Sequence, residues 1–259
     1  MIRASRDVVV RYFMERVLLV VEPGVDGVFR HVEALSHFLL AKGFAVDLAY
    51  SDVRKSDRLM MLVEHIRAKG GSTLNLRVGN APCFGDLRAF FGLLRFVRER
   101  KPDVIHAHSS KAGGLARGLA VLGVPGLFLY TPHAYFGMAG NRGLKAWFFN
   151  RVERWLGKIG TTINLSDGEV EFGRTALGIE AKRQKLIPNP VDTSVFRPVD
   201  AEAKARLKSG LGLPGDAIIL GAVGRLAFQK DPQTLYRAVA PMLKRDSRLH
   251  LYHLGKGEL

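Results

Sequence analysis

Residues 17–50 read VLLVVEPGVDGVFRHVEALSHFLLAKGFAVDLAY, and this stretch decides the fold. Its first five residues form a continuous apolar run rich in β-branched side chains, which is typical of a strand covered on both faces. A glycine-containing loop follows, and apolar residues then recur at helical spacing until Lys42 and Gly43, where the glycine ends a helix. Residues 45–50 predict a second strand. The unit is therefore strand, helix, strand, the crossover that parallel strands require.

The same alternation continues along the chain. It predicts helices over residues 57–69, 86–100, 112–122 and 142–158, and strands over residues 73–78, 104–107, 127–131 and 161–165. We therefore expect an α/β fold over residues 17–190, a Rossmann-like, doubly wound parallel sheet whose ligands bind beyond the carboxyl ends of the strands. Residues 1–16 are predicted to be an N-terminal extension. Residues 191–259 are predicted to be a linker and the incomplete start of a second Rossmann-like domain, with one strand, one helix and one further strand.

Composition narrows the classes of function. The 259 residues are 47% hydrophobic and 24% charged, as in globular proteins, and 39 Lys and Arg against 24 Asp and Glu give a formal charge of +15. This charge predicts an anionic partner, but the cations are interspersed with acids and form no ladder with aromatic residues, so we expect no nucleic acid. The single cysteine, Cys83, excludes an intramolecular disulfide and a multi-cysteine zinc site, and we expect a packed thiol. Neither a signal peptide nor a membrane span is evident, which predicts a cytoplasmic location.

One loop in the second domain has the character of a phosphate site. It begins with Gly224 and Arg225 after an apolar strand, and it ends with Lys230 before an Asp231-Pro232 helix start. Glycine lets a backbone approach a ligand, and two cations together with a helix N-terminus favour an anion. The loop predicts a diphosphate cradle, although a surface loop with two solvated cations would have the same sequence.

Four ordered motifs resemble the retaining glycosyltransferases of family 4, which have the GT-B fold. They are PDVIHAHSSKAG at 102–113, YTPH at 130–133, PNPVDTSVFRP at 188–198 and GRLAFQKD at 224–231. The resemblance covers residues 17–259, but the family's second-domain pair of glutamates, which contact the donor, would lie beyond Leu259. We therefore expect a chain truncated within the second domain and inactive by itself in sugar transfer.

The resemblance also implies roles for individual residues. It implies that Arg225 and Lys230 grip the donor diphosphate and that His133 faces the donor sugar as the catalytic residue. The sequence shows no evident metal requirement, and we expect no cofactor besides the donor itself. The remaining donor-binding residues are Gly224, Gly255 and Gly257, and the expected acceptor-binding residues are Gly24, Gly27, His108, Ser109 and Lys111. Two departures stand out: Ala134 replaces a usual glycine after the histidine, and Gly24 and Gly27, usually adjacent, are separated, so they could instead form a plain turn.

These features together predict sugar transfer from a nucleoside-diphosphate sugar, with retention, to a lipid-linked or polysaccharide-precursor acceptor in cell-envelope polysaccharide biosynthesis. The basic, aromatic helix over residues 142–158 fits peripheral attachment to the anionic inner face of the membrane, and it fits a core-packing helix with a solvated face equally well. A nucleotide-sugar epimerase of GT-B fold and a non-catalytic nucleotide- or phosphate-binding fragment remain as alternatives.

Overall fold

The computed structural model describes residues 15–79, 81–139 and 143–257. Fourteen residues of the predicted N-terminal extension, 1–14, and Arg142 of the predicted basic helix lie outside this part of the chain. The described chain divides into two compact units, the first ending at Asn189 and the second beginning at Pro190.

The first unit is a seven-stranded parallel sheet in the order β3-β2-β1-β4-β5-β6-β7. Its strands are β1 (Arg16–Val21), β2 (Ala45–Tyr50), β3 (Thr73–Asn75), β4 (Val104–His108), β5 (Leu127–Thr131), β6 (Thr161–Asn164) and β7 (Gln184–Leu186). Its helices are α1 (Asp26–Ala41), α2 (Asp57–Ala68), α3 (Gly85–Arg100), α4 (Ser110–Val121), α5 (Leu144–Leu156) and α6 (Asp167–Thr175). The predicted α/β parallel sheet is confirmed.

Alternate residues of β1 pack on opposite faces of the sheet, as strand geometry requires. Leu18 and Val20 join the core that contains α3 and α4, whereas Val17, Leu19 and Val21 join the core that contains α1 and α2. All five are buried. Helices therefore cover both faces of the sheet, and this double cover explains why the strand is apolar throughout.

Three differences from the predicted elements have local causes. β3 ends at Asn75 rather than near residue 78, because Arg77 has a φ of +53°, which breaks an extended conformation. The short helix α6 was not predicted, because glycines interrupt its apolar pattern. The edge strand β7 was not predicted, because it has only three residues. The α6 helix nevertheless has a capping signal in its sequence, since the Ser166 hydroxyl accepts a hydrogen bond from the Glu169 amide.

The second unit contains a pair of parallel strands, β8 (Ile218–Val223) and β9 (Leu249–Leu254), joined by α8 (Pro232–Arg245). An exposed helix, α7 (Ala201–Gly210), precedes them. No helix in the described ranges is both long enough and apolar enough to cross a membrane.

Candidate active site

A cluster of histidines occupies the carboxyl edge of the first sheet where its strand order reverses, between β1 and β4. His106 and His108 lie on β4, His31 lies on α1 after β1, and His133 follows β5. The His108 ring centroid is 4.1 Å from that of His106, 5.2 Å from that of His31 and 5.4 Å from that of His133. Such a reversal point is where doubly wound sheets bind ligands.

The backbone around His133 is strained. His133 has a φ of +54° and Ala134 a φ of +75°, in the left-handed region that L-residues other than glycine seldom adopt. The buried carboxylate of Glu169 fixes this turn by accepting hydrogen bonds from the Ala134 amide (2.7 Å) and the Leu165 amide (2.7 Å). Although alanine stands where a glycine was expected, the backbone still takes the conformation that glycine favours.

The inner histidines are uncharged at neutral pH. Burial, reinforced by neighbouring imidazoles, lowers the pKa of His106 and that of His133 to about 3, and it places the pKa of His108 well below its usual range. His108 Nδ1 and His133 Nε2 are 3.1 Å apart, so one neutral ring donates and the other accepts. His106 Nε2 bonds to the Thr131 hydroxyl at 2.9 Å. His133 is thus available for hydrogen bonding rather than as a fixed cation.

Sequence reasoning missed two members of this site, His31 and Asn189. Their Nδ1 and Oδ1 atoms are 2.6 Å apart, and the His31 ring lies edge-on to that of His133 with centroids 5.1 Å apart. His31 falls within the polar pattern of an amphipathic helix and therefore carried no signal. Asn189 was part of a quoted motif, but only the fold brings it back to α1.

The two glycines of the first loop have different surroundings. A Cβ on Gly24 would lie 2.4 Å from Leu59 Cδ2 and 2.8 Å from the Arg54 carbonyl oxygen, so Gly24 permits the close packing of this loop against its neighbours. Nothing lies within 4 Å of a Cβ built on Gly27. Beside them, the buried carboxylate of Glu22 holds the Arg54 guanidinium in a bidentate ion pair. The predicted acceptor role of the two glycines stays a prediction.

The start of α4 is less open than the sequence suggested. His108 is fully buried, and neither its Nε2 atom nor the Ser109 hydroxyl has a hydrogen-bond partner among the described residues. Lys111 Nζ bonds to the Ala81 carbonyl oxygen at 2.6 Å and to the Asp86 carboxylate at 2.7 and 2.8 Å. Cys83 beside this ion pair is exposed, so the expectation of a packed thiol was wrong. Acceptor contacts of His108, Ser109 and Lys111 stay predictions, and in this conformation Lys111 serves to fix the segment before α3.

In the second unit, Arg225 and Lys230 are exposed on the loop between β8 and α8. The Lys230 side chain runs beside Gly224, since a Cβ built on Gly224 would lie 3.8 Å from Lys230 Cγ. As predicted, Asp231 caps α8, its carboxylate accepting a hydrogen bond from the Thr234 amide, and Pro232 opens the helix. His253 was not predicted: its Nε2 lies 3.1 Å from the Gly224 carbonyl oxygen and its Nδ1 lies 2.7 Å from the Tyr236 hydroxyl. The loop thus presents two cations beside a helix N-terminus.

Gly255 and Gly257 allow two backbones to meet. A Cβ would lie 1.8 Å from the Gly224 carbonyl oxygen at Gly255, and 1.9 Å from the Leu226 carbonyl oxygen at Gly257. The loops after β8 and β9 are joined by a hydrogen bond from the Leu226 amide to the Lys256 carbonyl oxygen at 3.1 Å. These glycines therefore shape the cradle loop, and their contact with a donor stays a prediction. Within the described ranges, no group of three or more His, Cys, Asp or Glu side chains is placed to hold a metal ion.

The sequence profile described as Glycosyltransferase Family 4 matches residues 25–195. A UDP-Gal:alpha-D-GlcNAc-diphosphoundecaprenol alpha-1,3-galactosyltransferase of Escherichia coli is 31% identical over 163 residues, which is 62% of this chain and 41% of that protein. A D-inositol 3-phosphate glycosyltransferase of Actinosynnema mirum is 29% identical over 181 residues, covering 64% of this chain and 41% of that protein. The chain thus spans about two fifths of the length of these relatives.

Solved structures agree on the fold. Anabaena HepE in complex with UDP and glucose has a TM-score of 0.66 at 18% identity, covering 94% of this chain and 61% of that one. A glycosyltransferase of Rickettsia africae has a TM-score of 0.63 at 14% identity, covering 94% of this chain and 69% of that one. At these identities the likeness concerns the fold alone.

Proposed function

Because the chain belongs to glycosyltransferase family 4, we propose that the whole protein transfers a sugar from a nucleoside-diphosphate donor to a lipid-linked or polysaccharide-precursor acceptor, with retention of configuration. One observation carries the donor half of this proposal. Arg225 and Lys230 lie on one short loop that leads into the N-terminus of α8. Two cations and a helix N-terminus form a site for a diphosphate.

The chemistry of transfer gives this loop its role. As the glycosidic bond to the donor phosphate breaks, the sugar becomes oxocarbenium-like and the leaving diphosphate gains negative charge. Fixed cations stabilise that charge most strongly in the transition state, which lowers the barrier rather than only tightening donor binding. Since the cations are supplied by side chains, the proposal needs no metal or cofactor, and turnover should persist in EDTA.

In the first domain, we assign His133 to the reacting sugar. A neutral imidazole can hydrogen-bond a sugar hydroxyl or a phosphate oxygen without adding a charge that would oppose the positive character of the sugar. The low pKa of His133, about 3, keeps the ring in this form at any physiological pH. The strained turn held by Glu169 supports the assignment, because strain of this kind is concentrated at functional sites.

The acceptor proposal draws on a relative and on charge. The name of the Escherichia coli relative specifies a diphosphoundecaprenol-linked acceptor, and this supports a lipid-linked acceptor in cell-envelope polysaccharide biosynthesis for our chain. The formal charge of +15 and the cations of α5 support peripheral attachment to an anionic inner membrane face from the cytoplasm.

A binding panel tests the proposal. Whole protein is titrated calorimetrically with UDP, GDP, ADP and dTDP and with their common sugar conjugates, and transfer to extracted envelope lipids is then followed by mass spectrometry and anomeric NMR. We expect one nucleotide series to bind at least tenfold more tightly than the others and its sugar to appear on lipid with the donor's anomeric configuration. If no nucleotide binds, or if the product is inverted, the proposal fails.

A further inference from the structure

The start of α3 carries large apolar side chains that point away from the core. Phe84 is 94% exposed, and Leu87 and Phe91 are each more than half exposed. Leu93, Leu94 and Val97 already supply the packing of this helix on the sheet. Three such side chains within about two turns at the start of the helix form an exposed apolar patch, which in soluble proteins usually marks an interaction surface.

The start of α5 repeats the pattern. Leu144 is 86% exposed, and Trp147 and Phe148 are each more than half exposed. Of the two helices, only α5 was predicted from the sequence to contact a membrane, because its aromatic residues are mixed with cations. The patch on α3 was missed because its residues continue the amphipathic pattern of a core helix.

Topology places both patches on the same layer and at the same edge. The chain moves from β3 to β4 through α3 and from β5 to β6 through α5, and both helices pack beside α4 on the face opposite α1 and α2. Each helix follows the carboxyl end of a strand, so both N-termini lie at the edge that carries His133. The two patches therefore flank the start of α4.

Lys111 fixes the α3 patch to this edge. Its side chain is only 11% exposed and bonds to the Ala81 carbonyl oxygen and the Asp86 carboxylate, in the segment before α3 and in its first turn. The exposed position of Phe84 is thus set by an anchored turn. An exposed apolar side chain on an anchored turn loses little conformational entropy when a binding partner covers it.

The charged side chains around the two apolar patches indicate which kind of partner covers them. The exposed cations on the two helices and their ends are Arg88, Arg95, Arg98, Lys101, Lys145, Arg151, Arg154 and Lys158. The acidic side chains there are held in ion pairs: Asp86 with Lys111, Glu99 with Arg95, and the buried Glu153 with Arg117. Arg88, Lys145 and Arg151 lie within about one turn of the exposed apolar residues, whereas Arg98, Arg154 and Lys158 lie at the C-terminal ends of the two helices. Exposed apolar residues with neighbouring cations complement the interface of an anionic bilayer, whose headgroups attract the cations while its acyl boundary takes the aromatic rings.

We propose that the starts of α3 and α5 form one docking face for an anionic phospholipid bilayer. In this face Phe84, which immediately precedes α3, and Leu87 and Phe91 of α3 form a contact site separate from that of α5. This docking face rests on the proposed function, to which it adds a binding partner. A bilayer docked here lies along the edge that carries His133, where the headgroup of a lipid-linked acceptor would reach the histidine cluster.

Vesicle sedimentation tests the face. The probes are phosphatidylcholine vesicles with and without 30% phosphatidylglycerol, and the test variant is Phe84→Ser/Leu87→Ser/Phe91→Ser. The control is Phe38→Ser/Met61→Ser, which removes two exposed apolar residues from the opposite helical layer, on α1 and α2. We expect at least tenfold weaker partitioning of the test variant into anionic vesicles, unchanged partitioning of the control, and weaker binding of the wild type to neutral vesicles and at high salt.

Wild-type partitioning by the test variant would overturn the proposal, as would an equal loss in the control. Circular dichroism melts establish whether each variant folds. If the triple variant does not fold, the single variant Phe84→Ser replaces it, because Phe84 is the most exposed of the three residues. Nucleotide binding is measured in the same samples without vesicles. Nucleotide binding without vesicle binding refutes the docking face alone, whereas vesicle binding without nucleotide binding refutes the transfer proposal alone.

Discussion

Arg225 and Lys230 are the residues on which donor binding should depend most strongly. Replacing either with alanine should cost about 1.5 to 3 kcal/mol of interaction with the diphosphate, the range for hydrogen bonds to charged groups. In the whole protein, kcat/KM for the donor should therefore fall about tenfold to a hundredfold with the fold intact. Steady-state kinetics and a thermal melt measure the two quantities.

The matched control for the cradle is Lys244→Ala. Lys244 is an exposed cation in the last turn of α8, at the opposite end of the helix from the loop. The substitution Lys244→Ala changes the net charge by the same amount as Arg225→Ala or Lys230→Ala, but it leaves the proposed diphosphate site intact. Near-wild-type kinetics for both loop variants, or an equal loss for Lys244→Ala, would contradict the cradle.

The histidine cluster should make the protein sensitive to acid. A folded pKa of about 3 for His106 lies below the unfolded value near 6.5, so the unfolded chain binds more protons between these limits. The contribution to stability is therefore complete above about pH 6.5 and is lost as the pH falls toward 3. At pH 5 the titration of this one ring should make the free energy of unfolding roughly 2 kcal/mol lower than at pH 7.

Urea unfolding at pH 7 and pH 5 checks this expectation. The difference between the two pH values should be smaller in His106→Gln than in the wild type, because glutamine binds no proton. His37→Gln, which removes an exposed ring from α1, serves as the control. An unchanged difference in His106→Gln would show that this ring does not set the acid sensitivity.

Among the elements, β5, α4 and α5 are held together by a buried polar group. Arg117 Nη2 donates to Glu153 Oε2 at 2.9 Å, the Tyr130 hydroxyl donates to Glu153 Oε1 at 3.0 Å, and the guanidinium lies 3.8 Å from the centre of the Tyr130 ring. All three side chains are buried. The group fixes the position of α5 relative to the sheet edge, and with it the proposed docking face.

Removing only the arginine of the Arg117–Glu153 ion pair should strongly lower the free energy of unfolding. Arg117→Met leaves the Glu153 carboxylate buried without its cation, and we expect a loss of about 3 to 5 kcal/mol of unfolding free energy. The double variant Arg117→Met/Glu153→Met should recover most of this loss, because it buries no unpaired charge. Urea denaturation measures both.

The exposed pair Arg95–Glu99 is the comparison, with side chains 80% and 56% exposed. Arg95→Met should leave the free energy of unfolding close to that of the wild type, because water and salt screen a surface ion pair. A similarly small change in Arg117→Met would mean that the buried group contributes no more than a surface contact.

At the scale of the whole molecule, the two units should differ in local stability. β1 is paired on both sides, with β2 and β4, and buried on both faces, whereas β8 and β9 pair only with each other among the described strands and are largely half-exposed or exposed. Two-stranded sheets are marginally stable by themselves. We expect the amides of β8 and β9 to exchange with deuterium at least tenfold faster than those of β1 in this 259-residue chain.

Hydrogen exchange resolved by mass spectrometry measures this difference within one sample. The inner strand β4, paired with β1 and β5, is the internal reference for full protection. Equal protection of β8 and β4 would contradict the expectation.

The sequence by itself determined the parallel α/β sheet, the family, and the cap and proline that open α8. Each of these follows from short-range patterns: continuous apolar strands, helical periodicity, and turn or capping residues that act within a few positions. The cradle loop could be located in the same way, because its glycine, cations and helix start are neighbours along the chain.

Only the tertiary structure decided which distant residues meet. It brought His31 and Asn189 together across 158 positions, buried His108 beneath the other rings, and turned Lys111 toward Asp86. It also exposed Phe84, which the sequence alone could not distinguish from a core residue. Hydrophobic periodicity records which face of a helix is apolar but not how much of that face the neighbouring elements cover, and this coverage depends on contacts between parts of the chain far apart in sequence.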